Sequence, residues 1–456
     1  MQQYVKLFIF CLALSFSVNS EAQKKNEANY NVNSPYSRIG IGDLMPFGSI
    51  RNIGMGGTGV SQSHPEFFNS LNPALLINNR VYRYDSLLNI LDGGTFCQVR
   101  KVSDQNASQV TGAVNFLYFT YALPVNKRWT AAAGIRPLSN VSFFSESTIP
   151  VTGSPGDTAV VSFLSWGGLS QAFLSNAFRI GLPKVGSLFL GLESSYAFGS
   201  INRESFSYIR GFEDSLRVGT NQKSVYSGFF FRPGAAFRMP LGPGGKDTAV
   251  FFNAGLTYEF FAGMNATERL IAERRTPANL VFSRTTVSSS TQSVNLPSTF
   301  RFGISFDKFA KWNYALDFSY SNWSNVKGLS STDTLANSFT IAAGAEWAID
   351  LNKDEFEEII RLRRKYLRAG FAYSKTPLVV DGKQVNDISF SLGYTFPILP
   401  TDLKNRSSLI PYPKITFAII AGQRGSLQGN LVKDQYLMGY VGLTINDKWF
   451  RKRRIE

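Results

Sequence analysis

The sequence has almost none of the side chains that metal or nucleophilic chemistry uses: its 456 residues hold one histidine, His64, and two cysteines, Cys11 and Cys97. A zinc site built from His and Cys has no ligand set here, and a Ser-His-Asp triad would have to use His64. Cys11 falls inside an N-terminal leader, so the mature chain carries a lone Cys97, which cannot close an internal disulfide. No metal, no cofactor and no enzymatic activity are expected. Long apolar runs are also missing. The longest, Leu7–Val18, is far short of the roughly 20 residues of a spanning helix. Acids are scarce beside bases, 32 Asp and Glu against 47 Lys and Arg, a net charge of +15. The bases are scattered, except at 361–365 and 448–454, and both clusters end apolar alternating segments. That placement fits a membrane edge, and no nucleic-acid partner is expected.

What the chain does have is aromatic rings and glycine, 39 Phe and 39 Gly with 14% aromatics, which excludes a disordered chain and points to β structure with many turns. Residues 1–22 read as a signal peptide: Lys6, the apolar core, then Ser20-Glu21-Ala22 with small residues at the cleavage positions. The expected destination is the outer membrane of a Gram-negative bacterium.

Beyond residue 80 the pattern is strict two-residue alternation. Ile388, Phe390, Leu392, Tyr394 and Phe396 interleave with Ser389, Ser391, Gly393 and Thr395. Phe300, Phe302, Ile304 and Phe306 alternate with Thr299, Arg301, Gly303 and Ser305, and the stretch from Tyr314 to Tyr320 behaves likewise. Successive strand residues point to opposite faces. An aromatic face against a Gly, Ala and Ser face suits lipid on one side and an enclosed lumen on the other. Between Val81 and Asn446 there are fourteen such segments. Short connections (124–127, 182–186, 307–311) contrast with polar stretches at 145–159, 202–223 and 266–292, read as long outer loops. Trp129, Trp312, Trp347 and Trp449 all fall at the short-turn end, as in an interfacial girdle. The expected fold is all-β, a 14-stranded antiparallel transmembrane barrel over 81–446. A short periplasmic helix at 354–365 and a basic periplasmic tail at 447–456 complete it.

Residues 23–80 have a different texture. Gly54, Gly56 and Gly59 match G-x-G-x-x-G, with Gly57 between, but neither the preceding strand nor the following helix of a dinucleotide fold is present. Gly242–Lys246 likewise reads as a turn. The glycine run followed by Asn72-Pro73-Ala74 before the first strand resembles the hatch of the FadL-type long-chain fatty-acid transporter family. Val294–Pro297, the stretch from Asp317 to Asn325, and Gly370–Tyr373 followed by Thr376-Pro377 extend that resemblance along the chain.

The resemblance implies a 14-stranded barrel closed by an N-terminal hatch. It also implies passive uptake of hydrophobic small molecules such as long-chain fatty acids, with hatch-gated lateral release at a kinked third strand. Arg136-Pro137 stands in that strand, and a proline cannot donate to a ladder. Asn72-Pro73-Ala74 is expected to fix where the hatch joins the wall, with the Asn72 amide meeting unpaired backbone at the kink. The extended N-terminus, the 354–365 connector and the Arg-Lys-Arg-Arg-Ile-Glu ending depart from the family pattern. They resemble FadL-like barrels of Bacteroidetes-type bacteria, including the barrel subunit of the type IX secretion machinery. The alternative is therefore a non-transporting scaffold or docking subunit of an envelope assembly. Expected partners are membrane lipids, a hydrophobic ligand and other envelope proteins.

Alternation turns Arg136, Glu193, Arg232, Glu259, Arg301, Asp317, Glu346 and Arg368 into the lumen. Buried charges there must pair or meet water, and an incompletely paired arginine would suit a ligand carboxylate. Which arginine that is stays open at this level.

Overall fold

A computed structural model describes residues 34–448, apart from 63, 65, 79, 82–85, 155, 183–184, 212–215, 243–248, 309–310, 327–334, 350–363, 381, 399–411 and 428–431. The leader at 1–22, most of the segment 354–365 expected as a helix, the 242–246 turn beyond Gly242 and the tail beyond 448 lie outside the described residues.

The wall is a closed 14-stranded antiparallel barrel, as the alternation predicted, with two short strands in addition. The short ones are β1 (Asp43–Leu44) and β2 (Arg80–Val81). The wall runs through β3 (Ser86–Ser103), β4 (Ser108–Asn126), β5 (Trp129–Pro150), β6 (Thr158–Leu182), β7 (Gly186–Ile209), β8 (Arg217–Leu241) and β9 (Val250–Arg275). It continues through β10 (Val281–Val294), β11 (Thr299–Lys308), β12 (Trp312–Ser321), β13 (Ser338–Ile349), β14 (Lys365–Val380), β15 (Lys383–Pro397), β16 (Lys414–Arg424) and β17 (Lys433–Lys448). β17 closes on β3, from Lys433 opposite Ser103 to Lys448 opposite Leu88. β10 and β11 share one place in the wall, and both pair with β9. Asn295-Leu296-Pro297 separates them, where proline removes a ladder donor.

The alternating faces fall as the physics requires. Phe390 and Leu392 are exposed outward, with Phe300, Phe302, Tyr314 and Leu316, while Ser391, Thr395 and Asp317 are buried inside. Trp312 stands opposite Trp347 at one rim of the wall. Trp129 stacks on Phe178 and donates from Nε1 to Asn176 at 3.0 Å.

One expectation fails. The stretches 145–159, 202–223 and 266–292 are for the most part strand. The connections within them are 151–157, 210–216 and 276–280. Their sequences are mostly polar and lack the continuous greasy stripe that marks a lipid-facing strand, yet the Thr, Val and Ile among them favour strands. β5 to β9 accordingly run 22 to 26 residues, against 10 to 12 for β11 to β13. About 9–11 tilted residues cross a bilayer, so one side of the barrel stands far above the other.

The raised side bends at a row of glycines on neighbouring strands. Gly167 and Gly168 of β6, Gly199 of β7, and Gly228 and Gly263 flanking the β8–β9 register shift lie close to one level. Gly167 (φ +119°) and Gly263 (φ +107°) adopt backbone that other residues rarely reach. Along this crease the inner face closes as a hydrophobic core that includes Leu138, Val141, Leu169, Ile201, Tyr226, Phe230 and Met264.

Candidate functional site

Described residues between Ser34 and Ile77 pack against the inner face of the barrel, and the wall is shaped to receive them. Four cross-strand pairs of glycines, Gly94–Gly442, Gly191–Gly234, Gly255–Gly303 and Gly344–Gly370, open bare patches on the inner face. A side chain at any of them would collide with this segment. Ile50 occupies the first patch and Asn72-Pro73-Ala74 the second; Val60 sits in the third and Met55-Gly56 in the fourth. Gly54 lies directly on the backbone of Gly393. Gly56 and Gly57 have φ of +72° and +84°, which lets the chain turn back within a few residues.

Asn52 is the hub of that turn. Its Oδ1 accepts from Ser49 N and Oγ at 3.3 and 2.7 Å, and its Nδ2 donates to Thr58 O at 2.8 Å. Asn72 does the same further on, donating to Val60 O at 2.8 Å and to Ala235 O of β8 at 3.0 Å. Asn72 therefore anchors to β8 and not to the third strand. The register shift at Pro137 lies on β5, and Asn72 is seated instead in the Gly191–Gly234 patch next to Ala235.

Buried charge pairs fasten the segment to the wall. Glu346 receives Arg51 Nη2 at 2.7 Å and Arg368 Nε at 2.6 Å, all three buried. Asp317 Oδ2 accepts the amides of Gly59 and Val60 at 2.6 and 2.9 Å. Lys414 of β16 pairs with Glu66. His64 is enclosed, its Nδ1 accepting from Glu66 N at 3.3 Å and its ring packed on Phe67 and Tyr366. Desolvation by burial holds its imidazole well below the usual range, opposed by Glu346, so it is neutral. The Gly54–Gly59 motif is thus a packing device, with no strand–turn–helix around it.

Five of the charges that alternation turns inward, Arg136, Glu193, Arg232, Glu259 and Arg301, form one cluster. Glu193 takes Arg136 Nη2 at 2.6 Å and also pairs with Arg232. Phe47 lies among three guanidiniums, 4.1 Å from Arg136, 4.3 Å from Arg232 and 5.3 Å from Arg301. Arg301 is the loosest member. Its Nη1 is 3.7 Å from Glu259 Oε2, beyond hydrogen-bond reach, and has no hydrogen-bond partner.

Beside this cluster is a cavity of about 450 Å³, lined by Ile41–Phe47 on one side and by Phe96, Arg100, Arg301, Asp317, Thr340 and Tyr436 on the other. Arg301 reaches it; Arg136, Arg232 and Arg368 do not. Ion pairs ring its upper part: Arg100–Asp434 at 2.7 Å, and Arg424 with Asp43 at 2.8 Å and Asp387 at 3.0 Å.

A seam in the wall adjoins the cavity. β4 and β5 pair only from Asn126–Trp129 up to Phe119–Ile135. At Arg136-Pro137 the ladder to β6 continues but shifts register before Ser139. Above that point the N-terminal segment takes the place of β4. Asp43 and Leu44 pair with Asn140 and Ser139, Met45 N donates to Leu138 O at 3.1 Å, and Ser37 Oγ donates to Ser142 O at 3.1 Å. Neither the four glycine pairs nor this strand was foreseen. The glycines were visible as the small residues on the inward face; the two-residue strand has no sequence signal.

Comparison with known proteins follows the same lines. A Pseudomonas aeruginosa FadL homologue superposes with a TM-score of 0.53 at 13% identity, over 90% of this chain and 100% of that one. The Ralstonia pickettii toluene transporter TbuX gives 0.50 at 13%, over 90% and 99%. At such identities the likeness shows a shared barrel fold. A sequence search of curated proteins gives no match. The model of the BamG family, in contrast, matches residues 4–456, and the chain belongs to that family.

Proposed function

We propose that this chain is a β-barrel of a Gram-negative outer membrane that acts as a docking subunit of an envelope assembly, presenting its raised wall outside the bilayer. The observation that carries this reading is a mismatch of investment. The upper parts of β5 to β10 stand clear of the membrane-crossing zone, yet none of the described residues between 141 and 294 lines the cavity. A wall that tall and that polar is not needed to enclose a ligand. The interior supports the same reading, because the N-terminal segment is seated in glycine patches and fastened by buried ion pairs that are costly to break.

The ladder supplies a test. Ser142, Trp166, Asn202, Lys223, Arg269 and Ser289 stand opposite one another in one row. Replacing 143–165, 203–222 and 270–288 with two-residue Asn-Gly turns removes everything above it. The trimmed barrel is expected to reach normal abundance in the outer membrane and to fail to complement loss of the gene. Full complementation by the trimmed barrel would rule docking by the wall out.

A second reading, passive uptake of a hydrophobic small molecule with lateral release, rests on its own observation. The seam between β4 and β5 adjoins a cavity that holds the incompletely paired Arg301. An amphipathic ligand with a carboxylate, such as a fatty acid, would place its head at Arg301 and leave past the Asp43–Leu44 strand. Arg301→Ala would then reduce dodecanoate binding by the purified barrel at least tenfold. Unchanged binding, or none in the parent protein, removes this reading.

A further inference from the structure

The raised wall ends in an unsatisfied edge. β10 pairs with β9 from Val281–Arg275 to Val294–Met264, with bulges at Phe282 and Val287. On its other side the wall drops to β12, which stops at Ser321 and pairs with β11 and β13. Among the described residues no strand pairs with the outer edge of β10. Residues 281–293 are exposed. In an antiparallel pair every second residue turns its N–H and C=O away from the partner, so this edge presents a row of open backbone groups. Natural edges are blunted by proline, lysine, a short span or bulges; here two bulges interrupt the edge, and Ser283–Thr286 and Ser288–Thr291 remain regular. Between 281 and 291 there is no proline, no lysine and one charge, Arg284.

Two further observations indicate what fits there. Phe282 is 66% exposed and Val287 58% exposed, next to Leu280 at 67%. These are large apolar groups well above the lipid-facing band. Arg269, Arg274 and Arg284 are exposed and form no ion pair among the described residues. Between Met264 and Val294 four arginines face two glutamates, and Glu273 is already paired to Arg275 at 2.7 Å.

We infer that the free edge of β10 receives an extended segment of another polypeptide by strand addition, a segment that carries acidic side chains and apolar ones. Backbone pairing along the regular runs Ser283–Thr286 and Ser288–Thr291 supplies the affinity, and Phe282 and Val287, each bulged out of the ladder to β9, supply anchor points. Arg284 and its neighbours select for acidic residues. A second copy of this chain is the weaker occupant, because antiparallel pairing of β10 with itself would bring two arginine-rich hairpins together. The inference concerns the partner of the docking wall and rests on that reading.

The test uses the full-length protein in its native outer membrane, with a photo-crosslinking amino acid placed singly at Ser283 and Thr285, and at Ser289 and Thr291, on either side of the bulge at Val287. The expected result is an adduct with one partner polypeptide, in which the members of each pair join residues two apart in a single acid-bearing segment. That spacing is the mark of a paired strand. Arg284→Glu is expected to lower adduct yield at Ser289 at least tenfold at unchanged barrel abundance. Adducts only with a second copy, adducts scattered over unrelated segments, or no adducts would each overturn the inference. Should the trimmed barrel fail to complement while these positions give no adduct, docking by the wall stands and strand addition at β10 does not.

Discussion

The lower lumen and the raised wall are built from the same antiparallel ladder, but they use it in opposite ways. In the lower barrel the inward face is stripped to glycine at Gly191–Gly234, Gly255–Gly303 and Gly344–Gly370, so that another piece of the same chain presses against bare backbone. Charges there are buried and paired, as at Arg51–Glu346–Arg368. In the raised wall the strands carry Ser, Thr and Arg on exposed faces, and β10 leaves its edge open. The first arrangement pairs most of its charges within the chain, with Arg301 the loosely held exception. The second leaves backbone groups and side chains for something outside the chain. A single strand, such as β9, takes part in both: Gly255 holds Val60, and Arg269 and Arg274 lie far up the wall.

The comparison is tested most severely at the glycines. Gly370→Val places a branched side chain against the Met55–Gly56 backbone. The segment has no flexible atom to move there. Overpacking of this kind costs about 1–3 kcal/mol or more, and release of the whole segment is the expected outcome. Purified Gly370→Val barrel should conduct ions in planar bilayers, as should a chain lacking 31–74, because a 14-stranded barrel without its filling has an open lumen. Silent bilayers for both variants would mean that the lumen is closed by something other than this segment.

Glu346→Gln comes next. It leaves the Arg51 and Arg368 guanidiniums buried without a carboxylate, at a cost of about 3–5 kcal/mol. Thermal unfolding of the variant in detergent should show it, and adding Arg51→Met should recover part of the loss. A variant as stable as the parent would show that the triad is ornamental to the fold.

His64 gives a smaller, pH-dependent effect. Burial lowers its folded-state pKa well below the ordinary value. The neutral ring therefore contributes stability that is fully present above about pH 6.5, the unfolded value. That contribution is lost as the pH falls below it toward the folded pKa. Unfolding measured from pH 7.5 to 4 should flatten in His64→Phe. Activity of any kind should stay within about twofold of the parent, since no general base is removed.

The smallest effect belongs to the wall. Phe282→Ser should alter the barrel's own stability by less than about 0.5 kcal/mol, because the ring is 66% exposed. A drop comparable to that of Glu346→Gln would mean that Phe282 belongs to a packed core and not to a docking edge.

Much of this was legible in the sequence. Period-two alternation such as Phe300–Phe306 and Ile388–Phe396 determined the strand count, the lipid face and the inward charges, because side chains alternate across a strand whatever the fold. It also set apart residues 23–80, whose glycines suit tight packing and not a wall. Alternation carries no signal where both faces meet water, so the upper parts of β5 to β10 read as loops. Tertiary structure alone decided the long-range matters: Gly344 facing Met55, Asn72 reaching Ala235, and Asp43–Leu44 taking over the edge of β5 above Pro137. It also decided which arginine is left loosely paired. Each of these depends on which distant groups the closed barrel brings within a few ångströms, and sequence separation holds no record of that distance.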